Sequence, residues 1–354
     1  MTILVFPSTL EAAVKYAAEA KLWGQRTIGA SSVEDDPNKL CFDSWEQLPF
    51  IGDQSFDVEL KKVVERNSVD SIYTPHAPTY HLLKNRLTQI LPATRLIGLG
   101  PFQTQMSRVK ENVEIGLEAL SQARGYLGQD VALSAQFVGG VIAQAESIHG
   151  ECSRQKMAAL FGVVSNSPLG DIIEIGALFG KSSYLLNRIG AQLKVGAMLA
   201  VDPWNLGLSI QLDAPVYIQD ASGGWDWEVV ATGFLMNMLS ASAPPFNYLR
   251  LPSTDAHKQY LSTKKVSSPE FGETLYTGAI SILHLDGNHD EDAVSQDFEL
   301  WSQHMVPGGW IIFDDYHWPH GDGPKNVANG ALKKYGSLVQ KHFVAGGALF
   351  MKLA

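Results

Sequence analysis

Two short apolar runs near the C-terminus each end in acid. Ile282-Leu283-His284-Leu285 leads into Asp286-Gly287-Asn288-His289, and Trp310-Ile311-Ile312-Phe313 leads into Asp314-Asp315-Tyr316. Between them residues 291–305 have helical patterning, carry Asp297, and are stopped by Pro307-Gly308-Gly309. A strand, a helix and a second strand in that order build two neighbouring parallel strands. Asp286, Asp314 and Asp315 then meet at the carboxyl edge of one sheet, where open α/β sheets bind their ligands. Neither segment contains Lys or Arg. Carboxylates that converge without a basic partner repel one another unless a cation lies between them. All-oxygen ligation suits Mg²⁺ or a similar hard divalent ion. His289 stands three residues beyond Asp286, and His317 and His320 follow Asp315; a histidine beside a turn is ordinarily solvated surface, less so when it stands this near an acid. The plainer reading is turn and cap chemistry, because Asp and Asn favour strand–loop junctions that hold no metal.

A second cluster lies earlier in the chain. Asp171-Ile172-Ile173-Glu174-Ile175-Gly176 is an apolar strand that runs through Ala177-Leu178-Phe179-Gly180 into a helix containing Ser182. Glycines let a ligand approach the backbone, and a helix N-terminus offers free N–H groups. Dinucleotide folds use G-x-G-x-x-G to seat a pyrophosphate; the spacing here is E-x-G-x-x-x-G. The next apolar run, Leu199-Ala200-Val201, ends in Asp202-Pro203-Trp204. An acid at that position can accept hydrogen bonds from both ribose hydroxyls of a nucleoside, or it can cap a helix. Ser253-Thr254-Asp255 follows the third strand, as an adenine contact or as a cap.

Together these segments resemble class I S-adenosylmethionine-dependent methyltransferases. More narrowly, they resemble the Mg-dependent O-methyltransferases that modify antibiotic sugars and related natural products. The resemblance covers about residues 151–354. It implies a donor site that includes Glu174, Gly176, Gly180, Ser182, Asp202, Trp204, Ser253 and Asp286. It also implies Mg²⁺ on Asp286, Asp314 and Asp315, with His289 taking the proton from the hydroxyl of a small-molecule acceptor. One departure is that some members carry Glu where this chain has Asp314. Two other function classes stay open: a protein that holds the cofactor without turnover while docking a partner, and a NAD-dependent oxidoreductase. The missing pyrophosphate fingerprint counts against the latter.

The elements that must position these residues can be read from pattern. In the C-terminal part, a helix over 154–164 precedes strands at 171–176, 197–201, 246–251, 279–285 and 310–313. A helix over 325–335 and a hairpin formed by 343–344 and 348–353 close the chain. This is an α/β Rossmann-like domain, a mostly parallel sheet with a closing antiparallel hairpin. The stretch 204–245 is an insertion carrying Trp204, Trp225 and Trp227, as a packed helical insert or as an acceptor lid. Residues 1–102 alternate strands (3–6, 27–30, 69–73, 96–99) with helices (10–22, 56–66, 80–91), which implies a smaller parallel α/β domain. In shape it resembles, weakly, the α/β domain that precedes ATP-grasp domains, without a nucleotide fingerprint. His76 and His81 are spaced poorly for a metal and read as surface. Helical patterning over 103–128 and 131–149 implies a linker, so the expected domains are 1–102, 103–150 and 151–354.

Bulk properties narrow the partners. The 354 residues suit two domains, and 45% hydrophobic against 18% charged residues is an ordinary globular balance. A net charge of −10 without Lys/Arg clusters argues against nucleic acid and anionic membranes. Cys41 and Cys152 can build neither a disulfide framework nor a zinc cage. No basic leader and no run of about 20 apolar residues is present, so the expected location is the cytoplasm. A homo-oligomer is compatible with all of this.

Overall fold

The computed structural model describes residues 1–98, 100–212 and 214–354, without the side chains of Ala221 and Ser222. The chain divides into two compact units, Met1–Glu111 and Asn112–Ala354.

In the first unit the chain runs β1 (Thr2–Val5), α1 (Glu11–Leu22), β2 (Arg26–Ser31), β3 (Ser44–Gln47), α2 (Phe56–Asn67), β4 (Ser71–Tyr73), α3 (Ala77–Ile90) and β5 (Arg95–Ile97). The five strands form a parallel sheet in the order β3-β2-β1-β4-β5. Leu4, Ile28, Ile72, Phe56, Leu60 and Leu83 meet in its core. Edge strand β3 was not expected. Its sequence, Ser-Trp-Glu-Gln, is mostly polar because an edge strand need not be apolar on both faces. Of the strand expected at 96–99, Leu99 lies outside the described residues.

Helix α4 (Pro101–Leu127) contains the division between the units. The second unit continues with α5 (Ala135–Ala145), α6 (Arg154–Ser165), β6 (Asp171–Ile175), α7 (Lys181–Leu193) and β7 (Met198–Val201). Helices α8 (Leu206–Ser209), α9 (Val216–Gly223) and α10 (Trp227–Ala241) precede β8 (Phe246–Leu249). Then come α11 (Ser253–Thr263), the separate hairpin β9 (Lys265–Ser268) and β10 (Gly272–Leu275), β11 (Ile280–Leu285), α12 (Glu291–Trp301), β12 (Met305–Phe313), α13 (Gly323–Tyr335), β13 (Val339–Ala345) and β14 (Ala348–Leu353).

The seven-stranded sheet has the order β13-β14-β12-β11-β6-β7-β8. The pairs from β12 across to β8 are parallel, and β14 is antiparallel to both β12 and β13. The chain steps outward from β6 to β8, then returns to the other side of β6 with β11. That reversal opens a crevice over the carboxyl ends of β6 and β11, the position at which such sheets bind ligands.

The expected linker over 103–150 is divided differently in the structure. Val138, Val141, Ile142 and Ala145 of α5 are buried in one core with Met157, Leu160 and Phe161 of α6 and Leu185 and Ile189 of α7. Two glycines make a close helix crossing possible: a Cβ on Gly116 would lie 2.1 Å from the Ala135 carbonyl oxygen, and one on Gly139 would lie 1.9 Å from that of Asn112. Residues 112–150 are therefore part of the second unit. The insertion at 204–245 packs as helices, with Val230, Ala231, Phe234 and Met238 of α10 buried. Among the described residues no helix is long and apolar enough to cross a membrane.

Candidate active site

The loop after β6 is held by the end of β7. Asp202, almost wholly buried, accepts hydrogen bonds from the backbone N–H groups of Ala177 and Leu178 through Oδ2, both at 2.9 Å, and from that of Trp204 through Oδ1 at 2.7 Å. Burial raises its pKa against the pull of these donors. The expected ribose acceptor also clasps the glycine loop. Trp204, expected at the donor site, lies in the packing. It is 2% exposed, packs on Phe234 and Tyr248, and donates from Nε1 to the Leu178 carbonyl, so it is core rather than donor contact.

The other expected donor-site residues separate into two groups. Glu174 is fully enclosed, accepts from the Ser183 hydroxyl and faces His284 Nδ1 at 2.9 Å, so it lies beneath the site rather than in it. Ser182 is buried on α7, and Ser253 accepts from Trp301 Nε1 at 2.9 Å, which accounts for its hydroxyl as packing. Gly176 and Gly180 do shape the loop. Gly180 stands at the N-cap of α7 with φ +89° and no side-chain cap, leaving the helix N-terminus open. Gly176 has φ +86°, and what lies close to it is the backbone of Asp286. Three non-glycine residues also hold left-handed backbones at this edge: Leu178 (φ +46°), Trp204 (+41°) and Asp315 (+52°), following β6, β7 and β12. Strain of this kind persists where the surrounding structure imposes it, commonly at functional sites.

The acids come together as their strand-end positions require, but they have a basic partner. Lys156, from the first turn of α6, is 1% exposed; its Nζ is ion-paired with Asp314 and stands 3.5 Å from Asp286 Oδ2. The expectation of carboxylates without Lys or Arg is corrected by a residue 158 positions away from its partner. Its sequence signal was faint: α6 is buried continuously from Lys156 to Val164, so a lysine in its first turn has no wet face to occupy. Burial alone would raise the Asp314 pKa, yet the Lys156 ammonium holds it well below the usual range. Asp286 moves the opposite way, pushed well above its ordinary value by burial and then by the charge of Asp314.

His289 Nε2 lies 2.9 Å from Asp315 Oδ2, and its Nδ1 is buried without a partner. Asp286, His289 and Asp315 each offer a ligand atom, all within 4.8 Å of one another. Trp318 packs edge-on against His289 at 4.6 Å and against His320 at 5.3 Å. His320 instead faces the Tyr217 hydroxyl, at 2.8 Å. Of the three candidate histidines, His289 is the one brought to the acids.

Asp297 lines the same cleft as Asp286, Asn288 and His289. Burial pushes its carboxyl up to about 6, against a hydrogen bond with Ser253. A carboxyl whose folded pKa lies above its unfolded value of about 3.9 contributes stability fully below that value, and the contribution is lost as pH rises through the folded pKa. The expected result is that Asp297→Asn matches the native chain in urea unfolding at pH 4 and exceeds it by about 1–3 kcal/mol at pH 8. An equal effect at both pH values would overturn this assignment.

Residues 173–316 match the family model of a methyltransferase domain. Similar solved structures include the O-methyltransferase NovP, at 13% identity over 70% of this chain and 99% of NovP with a TM-score of 0.44. The calicheamicin methyltransferase CalS11 is 11% identical over 67% of this chain and 91% of its own, TM-score 0.39. The mycinamycin-pathway methyltransferase MycE, solved with Mg and SAH, is 14% identical over 52% of this chain and 45% of its own, TM-score 0.30. Among curated proteins, the uncharacterized protein R132 of Acanthamoeba polyphaga mimivirus is 46% identical over 44 residues, 12% of this chain. This chain spans a fifth of the length of that relative. The strand order and the glycine loop after β6 make the second unit a Rossmann-like α/β domain, and its residues 173–316 are similar to the methyltransferase-domain family.

Proposed function

We propose that this chain transfers a methyl group from S-adenosylmethionine to a hydroxyl of a small molecule, such as a sugar or another natural product, with a divalent metal and His289 assisting. One observation carries the reading: Asp286, His289 and Asp315 gather at the carboxyl edge of β11 and β12, beside the loop after β6. The donor set fits a hard divalent ion. With an ion bound and Asp286 ionised by it, Asp286, Asp314 and Asp315 would carry −3 and Lys156 +1, leaving −2. Asp286 and Asp315 would hold such an ion, Mg²⁺ being the ordinary choice for oxygen ligands. Bound there, it would lower the pKa of an acceptor hydroxyl.

The remaining work falls to the chain itself. Asp315 orients the His289 ring through Nε2, which leaves Nδ1 as the nitrogen to accept the acceptor's proton. Asp202 and Gly176 fix the loop after β6, against which the donor would lie. The acceptor oxygen forms a bond to the methyl carbon as the carbon–sulfur bond breaks, and the sulfonium leaves as a neutral thioether. Holding oxygen, carbon and sulfur in line supplies much of the rate.

The test is formation of S-adenosylhomocysteine by the full chain with Mg²⁺ and a panel of hydroxylated sugars, phenols and polyketides. Calorimetry would compare S-adenosylmethionine with NAD in parallel. The expected result is binding of the methyl donor in the micromolar range and product only when a hydroxyl acceptor is present. Donor binding without turnover on any acceptor would favour a non-catalytic cofactor-binding protein. Preference for NAD would favour an oxidoreductase.

A further inference from the structure

We propose that Asp314 is the counterion of Lys156 and not a metal ligand, so that the ion-binding charge of the site resides in Asp286 and Asp315. The proposal rests on the metal-assisted reading above. Three observations support it. Lys156 is 1% exposed and its ammonium is paired with Asp314 Oδ2. The side chain of Asp314 is 8% exposed, against 23% for Asp286 and 28% for Asp315, so it is the most enclosed of the three, at the floor of the cleft that it lines with Asp286. His284 is fully buried, with Nδ1 2.9 Å from Glu174 Oε1. Its Nε2 has no hydrogen-bond partner and is aimed at the cluster, 3.8 Å from Oδ2 of both Asp286 and Asp314.

The inner oxygens of Asp286 and Asp314 therefore face an ammonium and an imidazole edge. An ion ligated by Asp314 would crowd the Lys156 ammonium in a poorly screened interior, where like charges repel strongly. If Lys156 and Asp314 instead form a neutral pair, Asp286 and Asp315, both ionised when an ion is bound, supply −2, which one divalent ion balances. Lys156 thus fixes both the charge of the site and the orientation of its deepest acid.

The experiment titrates the full chain with Tb³⁺, following luminescence sensitised through Trp318 beside His289, and then displaces it with Mg²⁺. The native chain should bind both. Asp314→Asn leaves the Lys156 ammonium uncompensated beside the ion and should weaken Mg²⁺ at least roughly tenfold. The double variant Lys156→Met with Asp314→Asn removes both charges and should return to within about threefold of the native chain. Asp286→Asn should abolish binding. A double variant as weak as Asp314→Asn alone would make Asp314 a ligand and overturn the proposal. No ion binding by the native chain would also overturn it, while formation of S-adenosylhomocysteine would separately decide the methyl-transfer reading. If the double variant does not fold, an anomalous map of native crystals soaked in Mn²⁺ decides the matter. Oxygens of Asp286 and Asp315 at about 2.1 Å from the ion, with Asp314 outside that shell, support the proposal; Asp314 inside it refutes it.

Discussion

Replacing His289 with alanine is expected to lower kcat by roughly 10²–10⁴-fold, the usual loss when a general base is removed. Binding of S-adenosylmethionine should be unchanged. The size follows from the geometry. Of the three candidates His289, His317 and His320, His289 is the one that reaches the acids; its Nε2 is engaged by Asp315 at 2.9 Å and its Nδ1 is left without a partner. An orienting carboxylate on one ring nitrogen and a free lone pair on the other is the arrangement by which imidazole takes a proton. Asp315→Asn should then reproduce part of the loss, because the amide supports the ring less well and removes one charge from the ion. The comparison is made at saturating donor and acceptor, with single-turnover rates to separate chemistry from product release. A loss of less than threefold in His289→Ala would remove the histidine from the reaction, and Asp286→Ala would then have to account for the site through the ion alone.

The gathering of Asp286, His289 and Asp315 was legible from sequence because parallel neighbours carry their last residues to the same edge. Ile282-Leu283-His284-Leu285 and Trp310-Ile311-Ile312-Phe313 mark both strands plainly. Their alternation with helices was enough to imply the sheet. Lys156 was not legible, because its partner is 158 residues away and no local pattern encodes an ion pair so distant in sequence. Asp202 and Trp204 were read as ligand contacts since an acid at a strand end suits a ribose equally well. What the sequence could not show is that the carboxylate also accepts from the loop's backbone donors at residues 177 and 178. Helix α5 was assigned to a linker because its apolar face says that something covers it, not which unit does. The hairpin β9–β10 was missed for a related reason: Lys-Val-Ser-Ser and Gly-Glu-Thr-Leu each bury a single residue, Val266 and Thr274, on a two-stranded ribbon, too weak a signal to read.

Gly176 gives the sharpest distinction between a glycine kept for a ligand and one kept for the fold. Its spacing in E-x-G-x-x-x-G suggested room for a ligand beside the backbone. In the structure its φ is +86°, and a Cβ there would stand 1.9 Å from the Asp286 carbonyl oxygen, 2.4 Å from its carbon and 2.7 Å from Gly287 Cα. All three are backbone atoms of the adjacent strand end, and hydrogen bonds from Asp286 N to the Ile175 carbonyl and from Gly176 N to the Val201 carbonyl, both 2.8 Å, pin them in place. No side chain can swing aside. Gly176→Ala should therefore cost about 3–5 kcal/mol in urea unfolding, combining left-handed strain with a backbone clash. The folded fraction should also lose ion binding, because the displaced residue is Asp286 itself. Gly180→Ala is the control. Its φ is similar at +89°, but the nearest atom is in the Phe234 ring at 3.0 Å, a side chain that can shift, so a cost of about 1–2 kcal/mol is expected. If Gly176 served a ligand instead, its alanine variant would unfold like the native chain and show only a weaker affinity for S-adenosylmethionine. Equal stability of Gly176→Ala and the native chain would thus refute the structural role and return this glycine to the donor site.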